Sequence, residues 1–230
     1  MYKNTVLIFK SFLTLTFIIM LPAFTHADYN WELVKDSNGI KVYNRKVDGS
    51  DIKEFRAEGV IDAPIGVIFE VMIDVPAGPL WMNRCIESRL VRNIDKFTIS
   101  KNGIHSRDLV YNSTGAPFPV SNRDFIIETD IRWDFKTETI AINFHGVSNS
   151  GITQREGYIR ITEITGSWYF KYIDPDHTKA VYQVKQNPGG TLPASMVNYT
   201  GKNLPYNTII GLREIATDKK YIESALRRKK

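Results

Sequence analysis

The sequence predicts an α+β fold, in which a curved antiparallel β-sheet wraps around a long C-terminal α-helix. From residue 86 to residue 186, apolar and polar residues alternate with period two, and turn residues interrupt the pattern, which is typical of an antiparallel meander. From Pro193 onward the apolar residues recur at helical spacing instead. The sheet therefore precedes the helix that covers it.

The first elements come before the meander. Residues 31–35 are predicted to be a short helical or extended lead-in, and Ser37-Asn38-Gly39 predicts a turn. Strands are then expected at 40–45 and 54–61, followed by a helix that begins after Asp62 and ends near Asp74. A short helical turn is expected at 80–85.

The meander is divided by its turn residues into eight predicted strands. The segment from Arg123 to Trp133 is the most informative, because its odd positions are mostly apolar and its even positions mostly charged. The apolar face must be covered by another element. The strands are predicted at roughly 86–92, 96–100, 105–113, 123–134, 138–147, 155–164, 167–173 and 178–186.

The terminal helix supplies that cover. Pro205 interrupts it, and a proline in a helix interior removes a backbone hydrogen bond, so we expect a kink near Gly201. Its apolar residues are Met196, Val197, Tyr199, Leu204, Ile209, Ile210, Leu212 and Ile215.

The N-terminus predicts export. Lys3 and Lys10 bracket the start of an apolar run that is short for a membrane span, and Ala27 ends a segment suited to signal peptidase. We therefore expect a signal peptide at 1–27 and a periplasmic or secreted domain at 28–230. The alternative is an uncleaved N-terminal membrane anchor.

Charge and composition narrow the function classes. The net charge of +5 falls to +3 without Lys3 and Lys10, and the basic tail at 227–230 accounts for the remaining excess. A nucleic-acid-binding protein would spread its basic residues over a face of the fold, so nucleic acid is not expected as a partner. The tail is expected to be a solvated end, with contact to anionic lipid head groups as a secondary hypothesis.

Cysteine and histidine usage argues against cofactor chemistry. Cys85 is the only cysteine, so no intrachain disulfide can form, and we expect it to be part-buried and structural. The histidines after the signal peptide lie far apart, without ligand-spaced partners. No metal and no cofactor are predicted.

The predicted inner face mixes large apolar residues with isolated polar ones. An unpaired buried polar group costs roughly 1–3 kcal/mol, so a plain core tolerates few of them, whereas a ligand site uses a few to orient its ligand. A sheet that curls around a helix leaves a space that is either filled or hollow. The polar or mixed positions are Tyr111, Arg123, Thr129, Asn143 or Phe144 depending on register, Arg160 and Tyr182.

Four segments resemble the START (StAR-related lipid-transfer) family, in order and over nearly all of the chain after the signal peptide. The strongest is the segment 117–125, Pro-Phe-Pro-Val-Ser-Asn-Arg-Asp-Phe, which is similar to a Pro-aromatic-Pro motif followed by Arg-Asp. The others are residues 39–43, the pair Asp74 and Trp81, and residues 188–198.

This resemblance implies a helix-grip fold with an internal hydrophobic tunnel that binds a sterol, phospholipid, sphingolipid or other hydrophobic ligand. It implies transient membrane contact, with Gly201 and Pro205 as a candidate hinge of a gate or, equally, a simple bend. Arg123 is expected to be scaffold, and Thr129 stands where some sterol-binding members have an arginine. The expected tunnel-lining residues are Trp81, Tyr111, Arg123, Phe125, Ile127, Thr129, Phe144, Tyr182, Met196, Tyr199 and Ile210.

Two other functions remain open at this point. Related helix-grip proteins include cyclases and hydratases. If this chain were such an enzyme, Glu156 or Asp108 could serve as its acid or base, although no catalytic spacing stands out. The second is an exported interaction module with a filled core. A monomer is expected.

Overall fold

A ten-stranded sheet dominates the protein in the computed structural model, which describes residues 30–228. The predicted signal peptide at 1–27 lies outside the described residues. The strands are β1 (Glu32–Ser37), β2 (Ile40–Val47), β3 (Ser50–Ile61), β4 (Cys85–Ser100), β5 (Gly103–Thr114), β6 (Arg123–Asp134), β7 (Thr139–Gly146), β8 (Ile159–Ile161), β9 (Ile164–Asp174) and β10 (His177–Gln186).

The sheet is open and almost wholly antiparallel, in the order β1-β2-β3-β10-β9-β7-β6-β5-β4. The exception is β8, which pairs in parallel with the first residues of β6. The last strand, β10, pairs with β3, which joins the N-terminal hairpins and the later strands in one sheet. A sheet of this many strands twists and curls, and its concave face becomes the wall of an interior space.

The predicted turn at Asn38-Gly39 is confirmed as a two-residue hairpin loop between β1 and β2. Both residues have positive φ, 52° for Asn38 and 66° for Gly39, which is the requirement of a type I′ turn. The lead-in at residues 31–35, predicted as helical or extended, is extended and forms most of β1.

Two short helices cross the concave face after β3. Helix α1 (Ile65–Ile73) buries Val67, Ile68 and Phe69 almost completely, and α2 (Gly78–Trp81) follows a 3₁₀ turn at Val75–Ala77. The helical turn predicted at 80–85 is formed by α2, so the prediction began two residues late. It also ended too late, since Cys85 already belongs to β4. These helices cover one half of the concave face.

The C-terminal residues form three helices rather than one, of which the first two cover the other half of the concave face and the third packs against α1. They are α3 (Ala194–Gly201), α4 (Asn203–Ile215) and α5 (Lys219–Arg228). The break at Lys202 confirms the bend expected near Gly201. Pro205 lies in the first turn of α4, where its missing N–H breaks no helical hydrogen bond. No helix among residues 30–228 is long and apolar enough to cross a membrane.

Helix α5 was not predicted as a separate element. Asp218 begins it, since its side-chain oxygen accepts a hydrogen bond from the Lys220 amide at 2.9 Å. Tyr221 and Ala225 are buried against α1. The basic tail expected as a solvated end thus begins inside a packed helix, which contains Arg227 and Arg228.

Two strand predictions differ from the structure. The strands predicted at 86–92 and 96–100 are one strand, β4, whose pairing with β5 shifts at four irregular positions. These bulges interrupt the period-two pattern without ending the strand. The strand predicted at 155–164 is reduced to Ile159–Ile161, because the preceding residues form a loop.

A second, smaller core lies on the convex face of the sheet. Leu109, Tyr111 and Ile126 are buried there beneath Val147 and Ile152. The charges on the even-numbered face of β6 suggested that this face is exposed to solvent, but Ile126 on it is buried in the second core.

Candidate functional site

A cavity of about 150 Å³ lies between the concave face of the sheet and helices α1, α2 and α4. Its apolar wall is contributed by both layers. The apolar lining residues include Val71, Trp81, Phe125, Ile127, Ile131, Ile142, Phe144, Ile164, Trp168, Tyr182 and Leu204.

Aromatic rings form one side of the cavity. Trp168 on β9 and Tyr182 on β10 are directly paired across the strands, and their rings stack with centroids 4.0 Å apart and planes 6° apart. Trp81 approaches Trp168 at 6.0 Å, and Phe144 approaches Tyr182 at 6.3 Å. The face of a ring attracts cations as well as apolar groups, so this wall suits either.

Tyr182 adds a polar atom to that wall. Burial raises the pKa of its phenol, so the group stays neutral and keeps its proton at physiological pH. Among residues 30–228, burial is the one cause of this shift, and no side chain there hydrogen-bonds to the hydroxyl. The hydroxyl is therefore available to a ligand.

Asp108 places a carboxyl group in the cavity wall. It lies on β5 and is 9% exposed. Asn93 donates to one carboxyl oxygen from its side-chain nitrogen at 2.6 Å, and the Ser106 hydroxyl donates to the other at 3.3 Å. Within residues 30–228 no Lys, Arg or His lines this cavity.

The other two buried carboxyl groups have cationic partners. Glu70 pairs with Arg228, and Asp124 forms a two-pronged pair with Arg160, with distances of 2.8 Å to each oxygen. Asp108 has no ion pair with any described residue. Asp108 accepts two side-chain hydrogen bonds but lies in a cavity wall without an ion pair, so its remaining lone pairs are available to a ligand.

Asn112 and Ser88 add a second polar point nearer the opening. They are cross-strand partners on β5 and β4, and both are more than nine-tenths buried. The side-chain oxygen of Asn112 has no hydrogen-bond partner, although it is buried. Unpaired buried oxygens are unfavourable, so a ligand donor would be accepted here.

Cys85 also lines the cavity. Burial raises the pKa of its thiol to about 11, although a backbone hydrogen bond at Glu87 opposes that shift. The thiol is therefore protonated at neutral pH and is a poor nucleophile. This agrees with the expectation of a structural cysteine.

A second cavity, of about 380 Å³, adjoins the first beneath α3. We call it the mouth. It shares Thr114, Gln186 and Leu204 with the inner cavity, which joins the two spaces. Its outer walls are the loop at Pro117–Val120 and the residues of α3, including Met196 and Val197. Helix α3 has no buried residue, so it is weakly held over this opening.

Arg123 links the segments of backbone that border the mouth. Its guanidinium donates to the carbonyl oxygens of Pro188 at 3.1 Å, Gly189 at 3.4 Å and Ser121. Burial lowers the pKa of Arg123, and the three carbonyls offset its desolvation. These bonds fix the loop before α3 to the start of β6. The side chain is scaffold, as the sequence predicted.

Comparison with known proteins supports the same fold. The START domain family model matches residues 23–209. The chain belongs to the START domain family. That span covers the sheet, α1, α2, α3 and about half of α4, while α5 lies beyond it. The helix-grip fold expected from the sequence is confirmed.

Three relatives show how far the similarity reaches. The START domain is 29% identical over 189 residues to an uncharacterized protein of Pseudomonas aeruginosa, covering 81% of this chain and 87% of the relative. It is 24% identical to the phosphatidylcholine transfer protein of Rattus norvegicus, covering 79% and 80%. A STAR-related lipid transfer protein fragment of Xanthomonas axonopodis superposes with a TM-score of 0.69 and 30% identity, covering 82% and 99%.

Most of the predicted tunnel residues of this START domain line one of the two cavities. Ligand contact by these residues stays a prediction. Trp81, Phe125, Ile127, Thr129, Phe144 and Tyr182 line the inner cavity, and Arg123 and Met196 line the mouth. The choice between Asn143 and Phe144 is settled, because Asn143 faces the convex side with His145.

Four expected inner residues are elsewhere. Tyr111 faces the convex core, because it pairs with Ile126 and both lie on the side opposite Phe125. Tyr199 is 76% exposed on α3, and Ile210 packs on the main core without lining either cavity. Arg160 pairs with Asp124 instead of facing inward.

Sequence reasoning missed the two residues that most distinguish the site. Asp108 was considered only as an enzymatic acid, and Asn112 was not considered. The register of β5 with β6 decides their position, because it places Asp108, Val110 and Asn112 on the face of Phe125 and Ile127.

Proposed function

We propose that this START domain binds one lipid per chain, with the apolar part of the lipid in the inner cavity. We further propose that it is exported by the signal peptide at 1–27, acts as a monomer, and carries or shields the lipid at membranes. The observation that supports binding most strongly is the apolar, aromatic-walled cavity with an unpaired carboxyl group in its wall. Each methylene group buried there contributes about 0.8 kcal/mol.

The polar end of the ligand is proposed to be a cation or a hydrogen-bond donor. Asp108 and Asn112 offer acceptor oxygens, and the rings of Trp168 and Tyr182 attract positive charge. An anionic end would meet the Asp108 carboxyl group with no described cation nearby to offset it. The cationic choline end of phosphatidylcholine, the lipid named for the rat relative, matches these acceptors.

Lipid exchange is proposed to occur through the mouth. Helix α3 is held over it by few contacts, chiefly the Asn198 side chain, which accepts from the Lys53 amide at 2.8 Å and donates to the Asp51 carbonyl at 2.8 Å. Movement of α3 about Lys202 would open the inner cavity without disturbing α4. This makes α3, rather than the whole C-terminal helical segment, the gate.

The chemistry of the lining supports the proposal of binding rather than catalysis. The protonated Cys85 thiol is a poor nucleophile, and the side-chain partners of the Asp108 carboxyl group are Asn93 and Ser106, neither of which exchanges a proton at neutral pH. A hydrolytic or cyclising activity is therefore not part of this proposal.

Substitution of Asp108 tests the proposed polar end. Asp108→Asn keeps an oxygen that accepts from Asn93 but removes the negative charge. A hydrogen bond to a charged group is worth about 1.5–3 kcal/mol, so affinity for phosphatidylcholine should fall about 10- to 150-fold, while phosphatidylglycerol with the same chains should gain. Binding is measured by native mass spectrometry with each lipid.

Asp130→Asn is the matched control. Asp130 lies on the opposite face of the sheet, where it pairs with Arg132, so its loss should leave lipid affinity unchanged. The proposed polar end is contradicted if the unsubstituted protein binds both lipids equally and Asp108→Asn does not change that binding. Failure to bind any lipid contradicts the proposed function itself.

A further inference from the structure

The end of the sheet farthest from the mouth has exposed apolar side chains. Phe97 is 41% exposed, Ile99 62% and Phe135 40%. Ile99 pairs with Ile104, which pairs in turn with Trp133, and the Trp133 ring lies 5.3 Å from that of Phe135. Residues of two adjacent hairpins therefore form one apolar surface.

Helix α5 extends this surface. The Arg228 guanidinium lies 5.5 Å from the ring centre of Phe97 and pairs with Glu70 of α1, which fixes the end of α5 beside the exposed rings. Leu226, two residues earlier, is 58% exposed. We call Phe97, Ile99, Phe135 and α5 together the far-end patch.

Basic residues surround the far-end patch. Lys96, Lys101 and Lys136 are exposed and have no ion pair with a described residue. Arg227 is exposed and has only a 3.8 Å contact with Glu223. In the sequence, Lys229 and Lys230 follow Arg228 directly. Of the acidic residues among them, Asp95 pairs with Arg107, Glu223 contacts Arg227, and Asp134 accepts hydrogen bonds from the backbone amides of Lys136 and Thr137.

We propose that the far-end patch binds the surface of an anionic lipid bilayer. Exposed aromatic and aliphatic side chains beside a cluster of Lys and Arg match the two properties of such a surface, an apolar interior and negatively charged head groups. This proposal does not depend on which lipid the cavity holds.

The position of the patch gives the contact a specific geometry. In the β5–β6 pair, the patch adjoins Gly103 and Asp134, whereas the mouth adjoins Thr114 and Arg123. At about 3.3 Å per residue these ends are roughly 35 Å apart. A protein bound through the patch therefore keeps its mouth facing away from that bilayer, free to exchange lipid elsewhere.

Vesicle co-sedimentation tests the proposal on the chain without residues 1–27, which retains every described element. The vesicles are pure phosphatidylcholine, or phosphatidylcholine with about one third phosphatidylglycerol. We expect binding to the anionic vesicles only, and weaker binding in high salt, where the screening length shortens to about 3 Å at 1 M.

Two patch variants and two matched controls locate the contact. Arg227→Glu removes two charge units, each worth about fivefold near an anionic surface, so partitioning should fall about 25-fold. The double variant Phe97→Ser with Phe135→Ser should lower it about tenfold. Leu33→Ser, on the exposed part of β1, and Tyr199→Ser, on α3, should leave it unchanged.

The outcomes separate the proposal from its rivals. Loss in the patch variants, with circular dichroism showing intact structure, supports it. Loss only in Tyr199→Ser, unchanged binding in both patch variants, or no preference for anionic vesicles overturns it. Capture of lipid by the cavity is measured separately, so its failure leaves this test intact.

Discussion

Gly201 is the position at which a single methyl group should open the gate. A Cβ atom there would lie 2.4 Å from Cε2 and 2.6 Å from Cζ of the Phe55 ring, well inside van der Waals contact. Phe55 is 5% exposed on β3, so its ring has little room to withdraw, whereas α3 has no buried residue to hold it. The strain should therefore displace α3.

The size of the effect follows from the overlap. Overpacking by one methyl group typically costs 1–3 kcal/mol. If Gly201→Ala destabilises only the state in which α3 is closed over the mouth, the ratio of open to closed protein should rise about 5- to 150-fold. Release of a fluorescent phosphatidylcholine to acceptor vesicles, followed by stopped flow, should accelerate to a similar extent, with little change in melting temperature.

Two variants complete this test. Gly66→Ala, in α1, is the matched control, because its Cβ would meet Ala225 at an ordinary 3.6 Å and gains the same helix propensity. Adding Phe55→Leu to Gly201→Ala should restore slow release by relieving the overlap. If Gly201→Ala lowers the melting temperature but leaves release unchanged, the strain falls on β3, and α3 is not the gate.

Three further predictions concern stability and reactivity. Arg160→Met should destabilise the protein by about 3–5 kcal/mol in denaturant unfolding, because it leaves the Asp124 carboxyl group buried and unpaired. Burial raises the pKa of Asp124, but the hydrogen bonds from Arg160 and from the Arg155 amide outweigh burial and lower the pKa overall. The stability that this pair contributes is therefore present above about pH 4 and is lost as the pH falls further. The difference in unfolding free energy between wild type and variant should shrink below that pH. At pH 8, iodoacetamide should modify Cys85 roughly 200-fold more slowly than a free thiol, and a rate near that of free cysteine would contradict its raised pKa. Leu212→Ala, at a wholly buried position of α4, should cost about 2–5 kcal/mol, and a loss below 1 kcal/mol would show that α4 is not a core element.

The elements with strong periodicity were predictable from the sequence. The alternation over Arg123–Trp133 correctly placed Phe125, Ile127 and Thr129 on the cavity face, since a strand has one fixed side-chain period. The motif that resembles the START family was sufficient for the fold. The scaffold role of Arg123 was also predicted correctly, because a buried guanidinium needs several acceptors.

The remaining errors have physical causes. Tyr111 was placed inside because its own strand is apolar on both faces, and only the loop that covers Ile126 shows which face is which. The bulges of β4 shift its register without a change in composition, so one strand resembled two. Helix α5 was missed because its apolar stripe is short and its basic residues resemble a solvated tail.

The account depends most on the claim that the inner cavity holds a lipid. The direct test is native mass spectrometry, with lipid extraction, of the protein purified from its own host, alongside Thr129→Phe, which fills the cavity wall, and Thr165→Phe, the same change at an exposed position of β9. We expect one lipid per chain in the wild type and in Thr165→Phe, and none in Thr129→Phe. A ligand-free mass for the wild type that does not change when mixed membrane lipids are added would contradict the account.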